Sequence, residues 1–197
     1  MTQVSMSTLV AGACSGQLVS FPTDTVPALA VQPNRSELIF AAKQRSPEKP
    51  LILMGAFPTD LWPFVKGTAA EMKIWQQVAQ NYWPGALTLV LPASAKVPAA
   101  LNPTDPTTIG VRVPNSRIAI AILSQTGPLA TTSANRSGEP PLKRMAEIER
   151  QFPEVLTLQE TEVETDQPVT TGVPSTVAKW TGVGWEILRQ GGVQLGS

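Results

Sequence analysis

The 197-residue chain contains no histidine and a single cysteine, Cys14. Those two absences remove whole reaction classes. A Cys/His zinc site, a Ser-His-Asp triad and a Cys-His pair cannot be built, and one thiol cannot close an internal disulfide. Net charge is missing as well: 15 basic residues balance 15 acidic ones, so the whole molecule exerts no long-range pull on nucleic acid or anionic lipid. No apolar run approaches the roughly 20 residues of a membrane span. The N-terminal MTQVSMSTLVAGACSG lacks the basic start of a secretory signal, so it reads as a first helix and the cytoplasm is the expected location. What is left for chemistry is carboxylate, lysine or hydroxyl catalysis, or the positioning and charge stabilisation used in transfer at phosphorus.

A 42% apolar fraction with 15% charged residues suits one globular domain with a sizeable core. Apolar runs at 18–22, 51–54, 87–91, 108–113, 129–132, 155–158, 175–180 and 185–189 have strand length. Between them, 36–45, 68–81, 116–125 and 142–152 have helical length and composition. The alternation predicts a layered α/β fold, with a mixed sheet because the later strands follow one another without helices. Helix 36–45 is expected to start at an Asn34 cap, with Glu37 three residues on, and to bury Leu38, Ile39, Ala41 and Ala42. The Pro-rich 91–106 reads as a surface loop and 160–174 as a second, more mobile one.

Several element ends are unusually polar, and each has two readings. FPTDTVPALA (21–30) closes an apolar strand with hydroxyls, an acid and a proline, as a turn or as a site wall. Lys43 and Arg45, in KQR, either complement a helix C-terminal dipole or meet an anion at the corner that follows. TSANRSG (132–138) is an ordinary turn or an anion nest. Arg112, between Val111 and Val113, points to solvent or to a ligand, while Ser175 opens a strand and Arg189 ends one before two glycines. Polar ends on separate strands, rich in Ser, Thr, Lys and Arg, are what a concave site for an anionic ligand requires, and open α/β sheets bind ligands at strand ends.

Taken in order, these segments resemble the YrdC-like family of L-threonylcarbamoyladenylate synthases. FPTDT, KQR, WPGALT, VRVP, TSANRSG, PSTV and LRQGG match that family's successive motifs over Leu18 to Gly192. The resemblance implies an α/β YrdC-like fold, an open twisted mixed β-sheet flanked by helices with a concave ligand cavity, as a single domain over 1–197. It implies a reaction in which L-threonine, bicarbonate or CO2, and ATP give threonylcarbamoyl-AMP and pyrophosphate, with magnesium on the phosphates. The product would feed proteins that threonylcarbamoylate adenosine 37, beside the anticodon of tRNA. By motif position, Lys43, Arg45, Ser133 and Asn135 correspond to the family's catalytic tetrad. Thr25, Arg112, Ser133 and Ser175 would bind threonine, and Arg45, Lys49, Thr108, Asn135, Lys143 and Arg189 would border ATP. The chain departs from the family in VPALA, where Pro27 replaces an aromatic and Ala28 and Ala30 replace glycines, in Asp24 for Glu, and in lacking a histidine near Met54. The competing expectations are a divergent relative that binds RNA or a nucleotide without synthase activity, and a carbamoyl-adenylate enzyme like the module of hydrogenase maturation proteins, whose acylphosphatase and zinc-binding companions this sequence does not contain.

Overall fold

A computed structural model describes residues 2–44, 49–162 and 171–196. Ten strands form one sheet: β1 (Gln3–Val4), β2 (Val19–Phe21), β3 (Ala28–Val31), β4 (Ile52–Met54), β5 (Leu87–Pro92), β6 (Thr108–Arg112), β7 (Leu129–Ser133), β8 (Leu156–Leu158), β9 (Thr176–Trp180) and β10 (Trp185–Arg189). Their spatial order is β1-β8-β2-β3-β7-β4-β6-β5-β9-β10. The pairs β1–β8, β2–β8, β4–β6 and β5–β9 run parallel and the other neighbours antiparallel, so the sheet is mixed. Helices are α1 (Met6–Cys14), α2 (Glu37–Lys43), α3 (Pro58–Leu61), α4 (Ala69–Tyr82), α5 (Arg117–Thr126) and α6 (Met145–Gln151). None is long and apolar enough to cross a membrane.

Successive strand residues face opposite sides of a sheet, and that alternation divides this molecule into core and cavity. On one face Leu29, Val31, Leu53, Leu87, Leu89, Leu91, Ile109, Val111, Ala130 and Ala178 pack against Ile39 of α2, Trp75 and Ala79 of α4 and Ile148 of α6. Each fully buried leucine or isoleucine there contributes about 1.5–3 kcal/mol relative to exposure. On the other face Val19, Phe21, Ala28, Ala30, Met54 and Leu129 lie under Leu9 and Ala13 of α1 and Ile118 and Ile122 of α5. These helices cover β2, β3, the Leu129 end of β7 and the Met54 end of β4, while Thr131 and Ser133 of β7 line the cavity. Over β6, β5 and β9 the same face presents Thr88, Val90, Gly110, Arg112, Val177 and Lys179 to an open cavity.

Helix boundaries follow their caps. Thr68 and Glu71 form a reciprocal capping box on α4: the Glu71 amide donates to Thr68 Oγ1 at 3.2 Å and the Thr68 amide to Glu71 Oε2 at 2.9 Å. Ser116 Oγ accepts the Ala119 amide at 3.3 Å at the start of α5, and Gly127, at φ 74°, ends it.

The apolar runs all form strands, and the periodic stretches form α2, α4, α5 and α6. The structure adds β1 and β3, too short or too alanine-rich to stand out. It also corrects the start of α2. Asn34 lies in a 3-10 turn, Pro33–Arg35, which Pro33 opens, so Ser36 takes the cap position without a side-chain bond. Glu37 pairs with Arg35 Nε at 2.9 Å instead of closing a capping box. Ala41 is exposed, and the inward stripe runs through Ile39 and Lys43, one turn apart. Segment 91–106 is not wholly a surface loop: β5 extends to Pro92, and Leu101 is fully buried with its carbonyl accepting the Leu51 amide at 2.7 Å. Residues 163–170 of the second expected loop lie outside the described residues.

Candidate active site

The cavity has a volume of about 700 Å³, within the range of roughly 300–1,000 Å³ usual for small-molecule sites. Its floor is the open sheet face. Gly110 keeps that floor flat, because a Cβ there would stand 2.7 Å from Ile52 Cγ2 and 3.4 Å from Thr88 Cγ2.

One end is built around Arg112, which sits on β6 opposite Met54 of β4 and is only 3% exposed. Three acceptors hold it: Nε donates to the Gly85 carbonyl at 3.0 Å, Nη1 to Thr25 Oγ1 at 2.9 Å and Nη2 to Asp24 Oδ1 at 2.6 Å. A guanidinium has five N–H groups, so two remain for a ligand. Burial pushes its pKa down, Asp24 pushes it up and neighbouring Arg189 pushes it down again; the group stays charged. Thr25 is fixed in its turn by a relay of hydroxyls. Thr23 Oγ1 donates to the Val26 carbonyl at 2.7 Å and lies 3.1 Å from Thr25 Oγ1, so the Thr25 hydroxyl can donate to Thr23 while accepting from Arg112.

Across the floor, Ser175 joins two elements. Its Oγ lies 2.9 Å from Thr88 Oγ1, and Arg189 grips it from β10, with Nη2 donating to the Ser175 carbonyl at 2.8 Å and to Oγ at 3.2 Å. Desolvation lowers the pKa of Arg189 as well. Two guanidiniums and one carboxylate therefore leave one net positive charge at this end.

The other end is the turn after β7. Asn135 Nδ2 donates to the carbonyls of Arg136 at 2.8 Å and Glu139 at 2.6 Å, which orients Oδ1 to accept from Ser133 Oγ at 2.5 Å and Lys43 Nζ at 3.4 Å. Lys43 Nζ also donates to the Ser133 carbonyl. Lys43 is 1% exposed and lies beneath this turn rather than in the cavity wall. Lys49 stands on the wall, its Nζ donating to Ser137 Oγ at 3.3 Å. Thr108 accepts from Asn102 Nδ2 at 3.1 Å and donates to Asp105 Oδ2 at 3.2 Å. The Thr107 and Thr108 hydroxyls and Lys179 hold the Asp105 carboxyl below the usual carboxylate range against the opposing effect of burial.

Thr25, Arg112, Ser175, Arg189, Ser133, Asn135, Lys49 and Thr108 therefore line one cavity, with Lys43 directly behind it. Lys143 is exposed, outside that lining, with its ammonium beside Gly172. Arg45 lies outside the described residues. Sequence reasoning noted Asp24 only as a departure from the family pattern and gave no role to it or to Thr88, Gly110 and Thr131. Asp24 and Thr88 fall inside FPTDT and WPGALT, but nothing in one sequence says which motif residues touch. In the described residues no group of three or more acidic, cysteine or histidine side chains could hold a metal ion.

Fold and site define a class: an α/β protein with a basic, hydroxyl-rich cavity on the open face of a mixed sheet. Residues 14–191 match the Sua5/YciO/YrdC family, described as telomere recombination, and the chain belongs to that family. A threonylcarbamoyl-AMP synthase of Vibrio vulnificus is 35% identical over 141 residues, 70% of this chain and 75% of that protein. A threonylcarbamoyl-AMP synthase of Pyrococcus abyssi is 39% identical over 129 residues, 64% of this chain, but the match spans 37% of its length. The crystal structure of P. abyssi Sua5 complexed with L-threonine superposes with a TM-score of 0.81 at 32% identity, covering 95% of this chain and 54% of that one.

Proposed function

We propose that this chain is an L-threonylcarbamoyladenylate synthase, a nucleotidyltransferase that joins a carboxylated threonine to AMP. The observation that carries this reading is the two-ended cavity: a buried guanidinium with two N–H groups left over at one end, and the Ser133–Asn135 turn braced by Lys43 at the other. The relatives named threonylcarbamoyl-AMP synthase, and a neighbour crystallised with L-threonine, support the substrate assignment.

In this reading the threonine carboxylate lies on Arg112 in a two-pronged, charge-assisted pair, bordered by Thr25 and Ser175. Bicarbonate or CO2 converts the amine to a carbamate. A carbamate oxygen then forms a bond to the α-phosphorus of ATP, the bond from that phosphorus to the bridging oxygen breaks, and pyrophosphate leaves with the electron pair. The protein's share is alignment of two anions and compensation of charge, for which no histidine is needed. Lys49, Arg189 and Thr108 border the nucleotide. Lys43 acts from beneath, holding the Ser133–Asn135 turn and placing a positive charge near the phosphates in a poorly solvated setting. Magnesium fits as a companion of ATP: such ions keep several waters and use phosphates with one or two carboxylates, and Asp105 and Glu139 are the carboxylates on the wall. The product would be consumed by tRNA threonylcarbamoyl-transfer proteins.

The test is incubation with ATP, magnesium, bicarbonate and each amino acid in turn. Threonine-dependent pyrophosphate release together with threonylcarbamoyl-AMP is expected; no release above the amino-acid-free control overturns the proposal.

A further inference from the structure

Asp24 is absent from the cavity wall and has no part in the proposed bond making, yet it makes the shortest of the three contacts that hold Arg112, at 2.6 Å against 2.9 and 3.0 Å. Both side chains are sequestered, 4% exposed for Arg112 and 10% for Asp24. Three anchors on three different nitrogens fix the plane of a guanidinium. Gly85 and Thr25 supply neutral oxygens, so the Asp24 carboxylate is the one charged anchor. The backbone under it is held independently of its side chain: the Asp24 carbonyl accepts the Thr171 amide at 3.2 Å and the Thr25 carbonyl accepts the Gly172 amide at 2.9 Å.

We propose that Asp24 is the positioning residue of the amino-acid subsite: it turns the two remaining N–H groups of Arg112 toward the cavity. A buried guanidinium whose plane is fixed and whose two remaining N–H groups face one way suits one α-carboxylate in a two-pronged pair. The inference rests on the reading of this end as the amino-acid end. It concerns a residue that does not touch substrate, so its effect should be confined to threonine.

Asp24→Asn keeps the size of the side chain and removes its charge. It is expected to raise the KM for L-threonine by about tenfold or more, the scale of a charge-assisted hydrogen bond, while the KM for ATP and the thermal shift produced by ATP stay within about twofold of wild type. Asp24→Glu, which restores the charge, should recover most of the loss. If the Asn variant does not fold, Asp24→Ser, which retains an acceptor, should give the same split between the substrates. An unchanged threonine KM, an equal rise for threonine and ATP, or a Glu variant no better than Asn overturns the positioning role while leaving the proposed function standing. Wild-type protein without threonine-dependent pyrophosphate release overturns both.

Discussion

Replacing Gly110 by alanine tests the geometry of the cavity floor with one methyl group. Gly110 does not occupy the left-handed region, so what the position requires is space, not a special backbone angle. The added Cβ would lie 2.7 Å from Ile52 Cγ2 and 3.3 Å from Ile52 Cβ, where carbon atoms prefer about 3.5–4.0 Å. Ile52 cannot yield easily. It is β-branched and stiff at χ1, and its strand is paired on both sides, with Gly110 of β6 and Thr131 of β7 as its register partners. Overpacking of this kind costs about 1–3 kcal/mol, and the stiffer unfolded chain of an alanine variant offsets about 0.4–1 kcal/mol. A net loss of about 1–2 kcal/mol translates into a Tm lower by about 2–8 °C for a domain of this size. Affinity for ATP and threonine should fall too, because the methyl fills the gap between Ile52 and Thr88. Thermal melts with and without each ligand read both effects. The double variant Gly110→Ala/Ile52→Ala should be less destabilised than the sum of the singles, since the clash partner is gone. A single variant as stable as wild type with undiminished ligand shifts, or strict additivity in the double, would refute the steric argument.

Lys43→Met keeps the stem of the side chain but removes the ammonium that braces the Ser133–Asn135 turn; pyrophosphate release should fall by about 10²–10³, the scale of losing one preorganised donor, and near-normal turnover would remove Lys43 from the chemistry. Ser175→Ala leaves the Thr88 hydroxyl, 1% exposed, without its Ser175 partner and takes one contact from Arg189; denaturant unfolding should show a loss of about 1–3 kcal/mol, and the KM for threonine should rise. Glu71 is held below its ordinary pKa first by the Thr68 amide, then by the Trp180 indole and the Thr68 hydroxyl. A depressed carboxylate stabilises above its unfolded pKa and loses that contribution as pH falls through the folded one. Glu71→Gln should therefore lower the Tm at pH 7, and the gap to wild type should narrow as melts are run at pH values falling below the ordinary value of 4.5; a gap that does not change with pH would contradict the assignment.

Much of this architecture was readable in advance because apolar periodicity is a local property. The runs at 87–91 and 108–113 show their alternation in the chain itself, and burial of Leu87, Leu89, Ile109 and Val111 on one side makes Thr88, Gly110 and Arg112 face the other. The start of α2 was misread because Asn34 and Glu37 have capping-box spacing, whereas Pro33 had already committed the chain to a tighter turn. β3 escaped notice because Ala28–Val31 carries two alanines and gains its place from pairing with β2 and β7. Arg112 was ambiguous for a similar reason. A cation between two valines is the same string whether it meets water or Asp24.

By itself the sequence determined the kind of chemistry open to this protein and the alternation of its strands. With no histidine and one cysteine, hydroxyls, amides and cations had to serve, and the spacing of apolar residues decided which of them left the core. The tertiary structure decided which polar residues meet. Asp24 and Arg112 are joined across 88 positions, Lys43 and Asn135 across 92, and Thr88 and Ser175 across 87. Those pairings depend on strand order and register, set by the packing of the whole sheet rather than by any local stretch of chain.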